Sequence, residues 1–397
     1  MKGYRRLVVL IVILIIGAGV SAWVNVPPWL TRRRAADHYR QGQEFARKGV
    51  MDSALAEWRI ATRLDPDYPE PYHRVGEFLL NQAQRPDLAG EVFARLAVID
   101  PDGPHVYCNY AKALALQNEM AEARQYAQLA VKTEPNCGLA HNMLGVVLTT
   151  DQQVSAGLKE LERACALSPQ NNDFALILAQ AYLDTSNFTG AQRTLEGVLQ
   201  RSPDNARAHY MLGWAIIRKS RAPDAVEKAL GHFREAAHLE PDDAEAYSEW
   251  GKLLLQTGRT AEAVQVLSKA WELNPRIVQV AHNLAAAYRQ AGQEPKAQAM
   301  EKQEQILLER ITRLRVLEKK AKADPHDLDI VLKLAEAEMQ DGNLTDAMRY
   351  VQGVLRVRPA DRAALELLAQ IYAVGGKPDM AEAVRVHLRT LPGSPIK

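Results

Sequence analysis

Residues 244–275 read AEAYSEWGKLLLQTGRTAEAVQVLSKAWELNP. Tyr247, Trp250, Leu253 and Leu254 recur at helical spacing, and Gly251 stands among them as a small residue where a second helix can come close. Gly258 punctuates a turn. A second stretch follows with Ala263, Leu267, Ala270 and Leu273 on one face. Pro275 stops it, because proline has no N–H to continue the ladder. Small residues facing bulky ones predict two amphipathic helices that interlock.

The pattern recurs. Helix-ending prolines stand at Pro66, Pro101, Pro135, Pro169, Pro203, Pro241, Pro275, Pro325 and Pro359, at spacings of 35, 34, 34, 34, 38, 34, 50 and 34 residues. Ten helix pairs can be drawn from about Ala35. The small residue of the first helix returns as Gly42, Gly76, Ala111, Gly145, Ala179, Gly213, Gly251, Ala285, Ala335 and Ala369. That of the second returns as Ala54, Ala89, Ala123, Gly157, Ala191, Ala229, Ala263, Ala297, Ala347 and Ala381.

This pattern resembles the tetratricopeptide repeat (TPR), a family of 34-residue helix–turn–helix units. The resemblance covers nearly all of the chain beyond residue 35. It implies an all-α fold, a right-handed superhelical solenoid of about ten repeats. It also implies a concave face that binds other proteins, and no enzymatic activity. The predicted organisation is a membrane anchor or signal peptide at 1–31, repeats 1–8 at 35–293, an extended helix or spacer at 294–325, and repeats 9–10 with a tail at 326–397.

Composition agrees. Of 397 residues, 47% are hydrophobic and 6% aromatic, which suits helices stacked into a continuous core. Lys plus Arg is 49 against 48 for Asp plus Glu, so nothing pulls the chain toward nucleic acid.

Residues 7–24, LVVLIVILIIGAGVSAWV, carry no charge. As a helix they reach about 27 Å, close to the roughly 30 Å hydrocarbon core of a bilayer. Trp23 and Trp29 fall where interfacial aromatics lie, and Pro27-Pro28 ends the helix. A single N-terminal transmembrane helix is expected. The alternative is a cleaved signal peptide with Lys2, Arg5 and Arg6 as its basic region and Val20-Ser21-Ala22 as its cleavage site. Arg32, Arg33 and Arg34 nearly balance the positive-inside count, and the array is expected on the extracytoplasmic (periplasmic) side, with the cytoplasmic side open as the other orientation.

After each of the first five prolines comes an acidic or amide residue, Asp67, Asp102, Asn136, Asn171 and Asp204, suited to cap the next helix. Gly49, Asn118, Asp151 and Asn187 mark turns within repeats. Repeat six has four extra residues, which 218–230 is expected to place in its turn, and Arg218, Lys219 and Arg221 could form a basic protrusion or an ordinary surface loop. In repeat eight, 294–323 reads as one long helix with Met300, Leu307, Ile311, Leu314 and Ala321 on a stripe that Glu304 and Glu318 interrupt. It reads as a spacer, or as a helix for self-association. The last repeat lacks a polar capping helix, since Val384, Val386 and Leu388 mix with Arg385, His387 and Arg389.

No phosphate-binding loop, nucleophile elbow, HExxH or CxxC is present, so no catalytic residue, metal or cofactor is expected. The cysteines are Cys108, Cys137 and Cys165, an odd number with no close pair. His105-x-x-Cys108 and Cys137-x-x-x-His141 have the look of zinc spacing. The repeat register sets them apart: His105 and Cys108 toward the groove, Cys137 in a linker, and His141 in the place that Tyr107 and Tyr247 occupy. His38 and His209 share that place, which makes a repeated structural use.

The family's inward-facing positions map onto Asn109 and Lys112, Asn142 and Met143, Tyr210, Met211 and Trp214, and His282 and Asn283. Amides in such a row can hold a peptide backbone, and large aromatics anchor hot spots. The set that some members use to clamp a C-terminal carboxylate is not reproduced: Cys108, Lys112, Met143 and Asp173 stand in its order. The resemblance and the apolar N-terminus lead to a non-catalytic, membrane-anchored scaffold that gathers proteins or extended peptides in an envelope assembly or export complex. Alternatives are a regulatory or substrate-recruiting subunit of a separate enzyme such as a glycosyltransferase, and a secreted array after signal cleavage.

Overall fold

The computed structural model describes residues 28–83, 85–103 and 105–391. The apolar segment 7–24 and the tail 392–397 lie outside the described residues, and with them the expected anchor. Among the described residues no helix is long and apolar enough to cross a membrane.

The described residues form twenty helices and no strand. In pairs, they are α1 (Pro28–Arg47) and α2 (Met51–Leu64), α3 (Pro69–Asn81) and α4 (Pro86–Ile99), α5 (Val106–Leu116) and α6 (Met120–Thr133), α7 (Gly138–Thr150) and α8 (Val154–Leu167), and α9 (Asn172–Asp184) and α10 (Phe188–Arg201). The series continues with α11 (Ala206–Lys219) and α12 (Pro223–Leu239), α13 (Ala244–Gln256) and α14 (Thr260–Leu273), α15 (Val278–Gln290) and α16 (Glu294–Ala323), α17 (Leu328–Gln340) and α18 (Leu344–Val357), and α19 (Arg362–Val374) and α20 (Pro378–Thr390). Each of the nine helices that precede a repeat boundary ends two residues before its proline. The first helix starts at Pro28 rather than near Ala35; proline at the first helical position loses only an N–H that has no partner there anyway.

All twenty small residues of the two repeating positions are buried. The reason is close approach. A Cβ at Gly251 would stand 2.5 Å from Leu267 Cγ, and one at Gly145 would stand 2.7 Å from Leu161 Cγ. The bulky partner lies four residues after the small residue of the second helix, as Trp58, Phe93, Leu161, Leu195, Phe233, Leu267 and Val351, all buried. Repeat three uses Ala127 there, and its core closes with Leu114, Leu144 and Val147.

Three local expectations need correction. The capping residue is the second after the proline, not the first. Asn171, Asn205, Asp243, Asp327 and Asp361 accept backbone N–H groups of the following helix. Asp67 instead takes the Arg95 guanidinium at 2.8 Å. Of the five expected caps only Asn171 stands at that register, because Gln170 separates it from Pro169 whereas the other four directly follow their prolines. The turn between helices holds a left-handed residue at Gly49, Asn118, Gln152, Ser186, Gly258, Gly292, Gly342 and Gly376. Asp151 and Asn187 flank that position; Asn187 caps α10 through Gly190 N–H. In repeat six the turn keeps its ordinary three residues, and the insertion goes into helix: α11 has 14 residues and α12 has 17.

The chain divides into two compact units, 1–225 and 226–397. In the first, α3–α5, α5–α7, α7–α9 and α9–α11 touch, besides the neighbours along the chain. In the second, α13–α15 and α17–α19 do so. Among the described residues, second helices make no comparable contact with one another. The first helices of successive repeats therefore form an inner layer within each unit.

The long helix of repeat eight is present as α16, of 30 residues against 14 in α14. The excess is about 24 Å of helix at 1.5 Å per residue. The first helices that flank it, α15 and α17, make no contact comparable to that between α13 and α15, and neither do α1 and α3. Leu307 of the expected stripe is buried, Met300, Leu314 and Ala321 are half-buried, and Ile311 is exposed with Leu308 and Val316.

Candidate functional site

Within the first unit the inner layer opens into a cavity of about 380 Å³. Val146 and Thr149 of α7, Val154 and Leu161 of α8, and Ile177, Gln180, Ala181 and Asp184 of α9 line it, with Thr185 just past α9 and Arg207 from the first turn of α11. Its floor is apolar. Its rim offers an amide, a carboxylate and a guanidinium, the mix that binding clefts use to fix orientation. Val146 and Gln180 each follow the small residue of their first helix, Gly145 and Ala179. That is the register of Lys112 and Trp214. Val146 and Gln180 thus meet in the cavity because one position repeats on successive first helices.

The sequence-predicted groove residues divide. Asn142 and Asn283 are only 8% and 7% exposed, and Met143 is 9% exposed. Met143 packs in the core with Ala111, Leu114 and Ala127, so it is not a groove residue. Asn142 Oδ1 and Asn283 Nδ2 are buried without a hydrogen-bond partner, and Asn283 Oδ1 accepts from Gln279 Nε2 at 3.1 Å. Neither amide is open to a peptide, since both side chains are buried. Asn109 is half-buried. Lys112 is exposed and donates to Asn81 Oδ1 at 2.9 Å. Tyr210 and Trp214 are half-buried, Met211 is buried, and the Arg218 guanidinium lies 4.8 Å from the centre of the Trp214 ring. His282 is exposed and meets Glu304 at 3.0 Å. The sequence reading missed Ile177, Gln180, Asp184 and Arg207; the repeat register could have found the first two, and Asp184 and Arg207 have no counterpart signal.

The structural use of the histidines holds. His38 Nδ1 lies 2.6 Å from Glu57, and His141 Nδ1 lies 2.6 Å from Glu160. Glu57 and Glu160 stand at the same position of their repeats. His141 and His209 each reach the carbonyl of the preceding proline, at 3.0 and 2.9 Å.

The expected separation of His105, Cys108 and Cys137 does not hold. Helix α5 starts late and has 11 residues, against 13 in α7. The unwound stretch leaves His105 as a left-handed residue at the helix start, with φ 57°. Its ring lies 3.7 Å from Cys137 Sγ and 3.4 Å from Glu134 Oε2. Cys108 is buried beside Ala130, Ala140 and Cys137, not in the groove. Burial, with Cys137 and Glu134 adding their charge, pushes the Cys108 thiol up to about 12.

Sequence models of the tetratricopeptide repeat match residues 39–104 and 176–230, 220–276 and 314–371, and 104–137, together more than half of the chain. The chain belongs to the tetratricopeptide repeat family. Similar curated proteins include the peroxisomal targeting signal receptor of Candida albicans (24% identity, 43% of this chain and 35% of the receptor). The human mitochondrial import receptor subunit TOM70 is 23% identical over 51% of this TPR chain and 34% of its own length. Superkiller protein 3 of Schizosaccharomyces pombe is 25% identical over 64% of this chain and 18% of that protein. The TPR chain therefore spans about a third or less of the length of these relatives. Among solved structures, YrrB, titled a TPR protein with an unusual peptide-binding site, is 18% identical with a TM-score of 0.40, covering 49% of this chain and 97% of that one. The human IFIT1 dimer with m7Gppp-AAAA is 18% identical with a TM-score of 0.48, covering 80% of both chains.

Proposed function

We propose that this TPR chain is a non-catalytic scaffold that holds extended segments of other proteins on the inner layer of its first helices. The cavity between α7, α9 and α11 carries the reading. An apolar floor with one amide, one carboxylate and one guanidinium at its rim fits a peptide with an apolar side chain and a polar backbone. Tyr210 and Trp214 continue the same layer on α11 as aromatic anchors. The relatives named as a targeting signal receptor and an import receptor subunit support a receptor for protein segments. The proposal includes a single-pass anchor formed by residues 7–24 and an extracytoplasmic array serving an envelope assembly or export complex.

Selection of a random peptide library on the full chain tests the groove. Selected peptides should lose tenfold or more in affinity on Ile177→Glu and on Arg207→Glu, with helicity by circular dichroism unchanged. Equal binding by folded variants, or selection of nothing above background, would sink the reading. A topology reporter fused after Pro359 and the mass of the native N-terminus test the anchor. A cytoplasmic reporter overturns the compartment, and loss of the first 22 residues overturns the anchor.

A further inference from the structure

His105, Cys108, Glu134 and Cys137 converge where the start of α5, the end of α6 and the start of α7 meet. One ligand atom from each of His105, Cys108 and Glu134 lies within 4.8 Å of the others. Around a zinc ion, bonds of about 2.3 Å to sulfur and about 2.0–2.1 Å to nitrogen and oxygen, at tetrahedral angles, set sulfur and nitrogen about 3.6 Å apart and nitrogen and oxygen about 3.4 Å apart. The observed separations are 3.7 Å from Cys137 Sγ to His105 Nδ1, and 3.4 Å from His105 Nδ1 to Glu134 Oε2. The second exceeds the usual N–H···O distance, so a simple hydrogen bond accounts for it less well.

We propose that these four side chains form a binding site for a thiophilic divalent cation of the zinc type. Two sulfurs, an imidazole and a carboxylate are a donor set that borderline-soft cations prefer over Ca²⁺ or Mg²⁺. The local fold presents it. His105 N–H donates to Glu134 Oε1 at 3.0 Å, which orients the carboxylate so that Oε2 faces the ring, the kind of outer support that metal ligands have. Cys108 brings its sulfur from the buried side, among Ala130 and Ala140. Cys137, His105 and Glu134 are only part-covered and leave an approach from solvent. The shortened α5 supplies the geometry: His105 stands before the helix in the left-handed conformation, and its backbone N–H and ring both meet Glu134. The cation would bind one repeat to the next at a junction away from the α7–α9–α11 cavity.

The full-length chain, reduced and stripped of metal, is titrated with Co²⁺ and then Zn²⁺. One equivalent of Co²⁺ should bind with a thiolate-to-cobalt charge-transfer band and tetrahedral visible bands, and Zn²⁺ should displace it. Cys137→Ser, a near-isosteric change at the part-covered edge of the Cys108 cluster, should leave helicity by circular dichroism unchanged, weaken binding at least tenfold and halve the charge-transfer intensity. Cys108→Ser and His105→Ala should also weaken it at least tenfold. Cys165→Ser, with the third thiol outside the cluster, should bind like the parent chain. The proposal is overturned by the absence of the charge-transfer band, or by Cys165→Ser weakening binding as much as Cys137→Ser does. It is equally overturned if Cys137→Ser folds normally and binds cobalt with unchanged affinity.

Discussion

Glycine inside these helices has two meanings, one at the repeating position and one outside it, and the same substitution separates them. A Cβ at Gly251 would press on Leu267 Cγ at 2.5 Å, in a fully packed contact, whereas one at Gly353 on α18 would meet nothing within 4 Å. Overpacking a core costs about 1–3 kcal/mol, while alanine gains up to about 1 kcal/mol over glycine inside a helix. Gly251→Ala should therefore lower the thermal midpoint and Gly353→Ala should raise it. Equal shifts in urea or thermal denaturation would remove the close-approach account. The position of Gly251 was legible because it recurs ten times. The burial of Asn142 and Asn283 was not, because asparagine is ordinarily an exposed residue and nothing in their own helices marks these two otherwise. Capping was half legible for a similar reason. Asp67 has the right chemistry for a cap, but Arg95, 28 residues away, takes its carboxylate.

Elements were legible wherever period and proline agree, and misjudged where length had to be assigned. The four residues added to repeat six lengthen α11 and α12 and leave the turn at its ordinary length. The loop at His105 escaped notice because only the late start of α5 brings His105 to Glu134 and Cys137. Pairs of elements are also tied by polar contacts, and one can be tested by pH. Tyr182 on α9 is buried, and its hydroxyl donates to Glu162 Oε1 on α8 at 2.6 Å. Burial, then the Glu162 carboxylate, pushes the Tyr182 phenol up to about 12. The folded state thus keeps this proton after an unfolded tyrosine, near 10, has lost it. The contribution is fully present below pH 10 and is lost as pH rises through 12. The parent chain should lose more stability between pH 9 and pH 11.5 than Tyr182→Phe does. Parallel losses in thermal melts across that interval would show that the tie does not bear on folding.

At the scale of the whole molecule, each repeat buries its apolar faces against its chain neighbours, and stability should be close to a sum of local and nearest-neighbour terms. The core divides accordingly. Phe93 closes one cluster with Leu80, Leu96, Val106 and Ala113, and Val351 closes another with Leu328, Val354, Leu367 and Ile371. No side chain belongs to both. Phe93 is fully buried, and its ring fills the space beside Gly76. Phe93→Ala should cost about 3–5 kcal/mol, concentrated where that ring packs. If terms are local, amide hydrogen exchange should accelerate in α3 to α6 by a hundredfold or more while α17 to α20 keep their rates. Val351→Ala should give the mirror pattern. A single cooperative core would spread either loss evenly over all twenty helices, and a uniform rise in exchange would refute the nearest-neighbour account. The same measurement bears on binding. A peptide held at the α7–α9–α11 cavity should slow exchange in those helices first, because protection can travel only through the neighbours that each repeat touches.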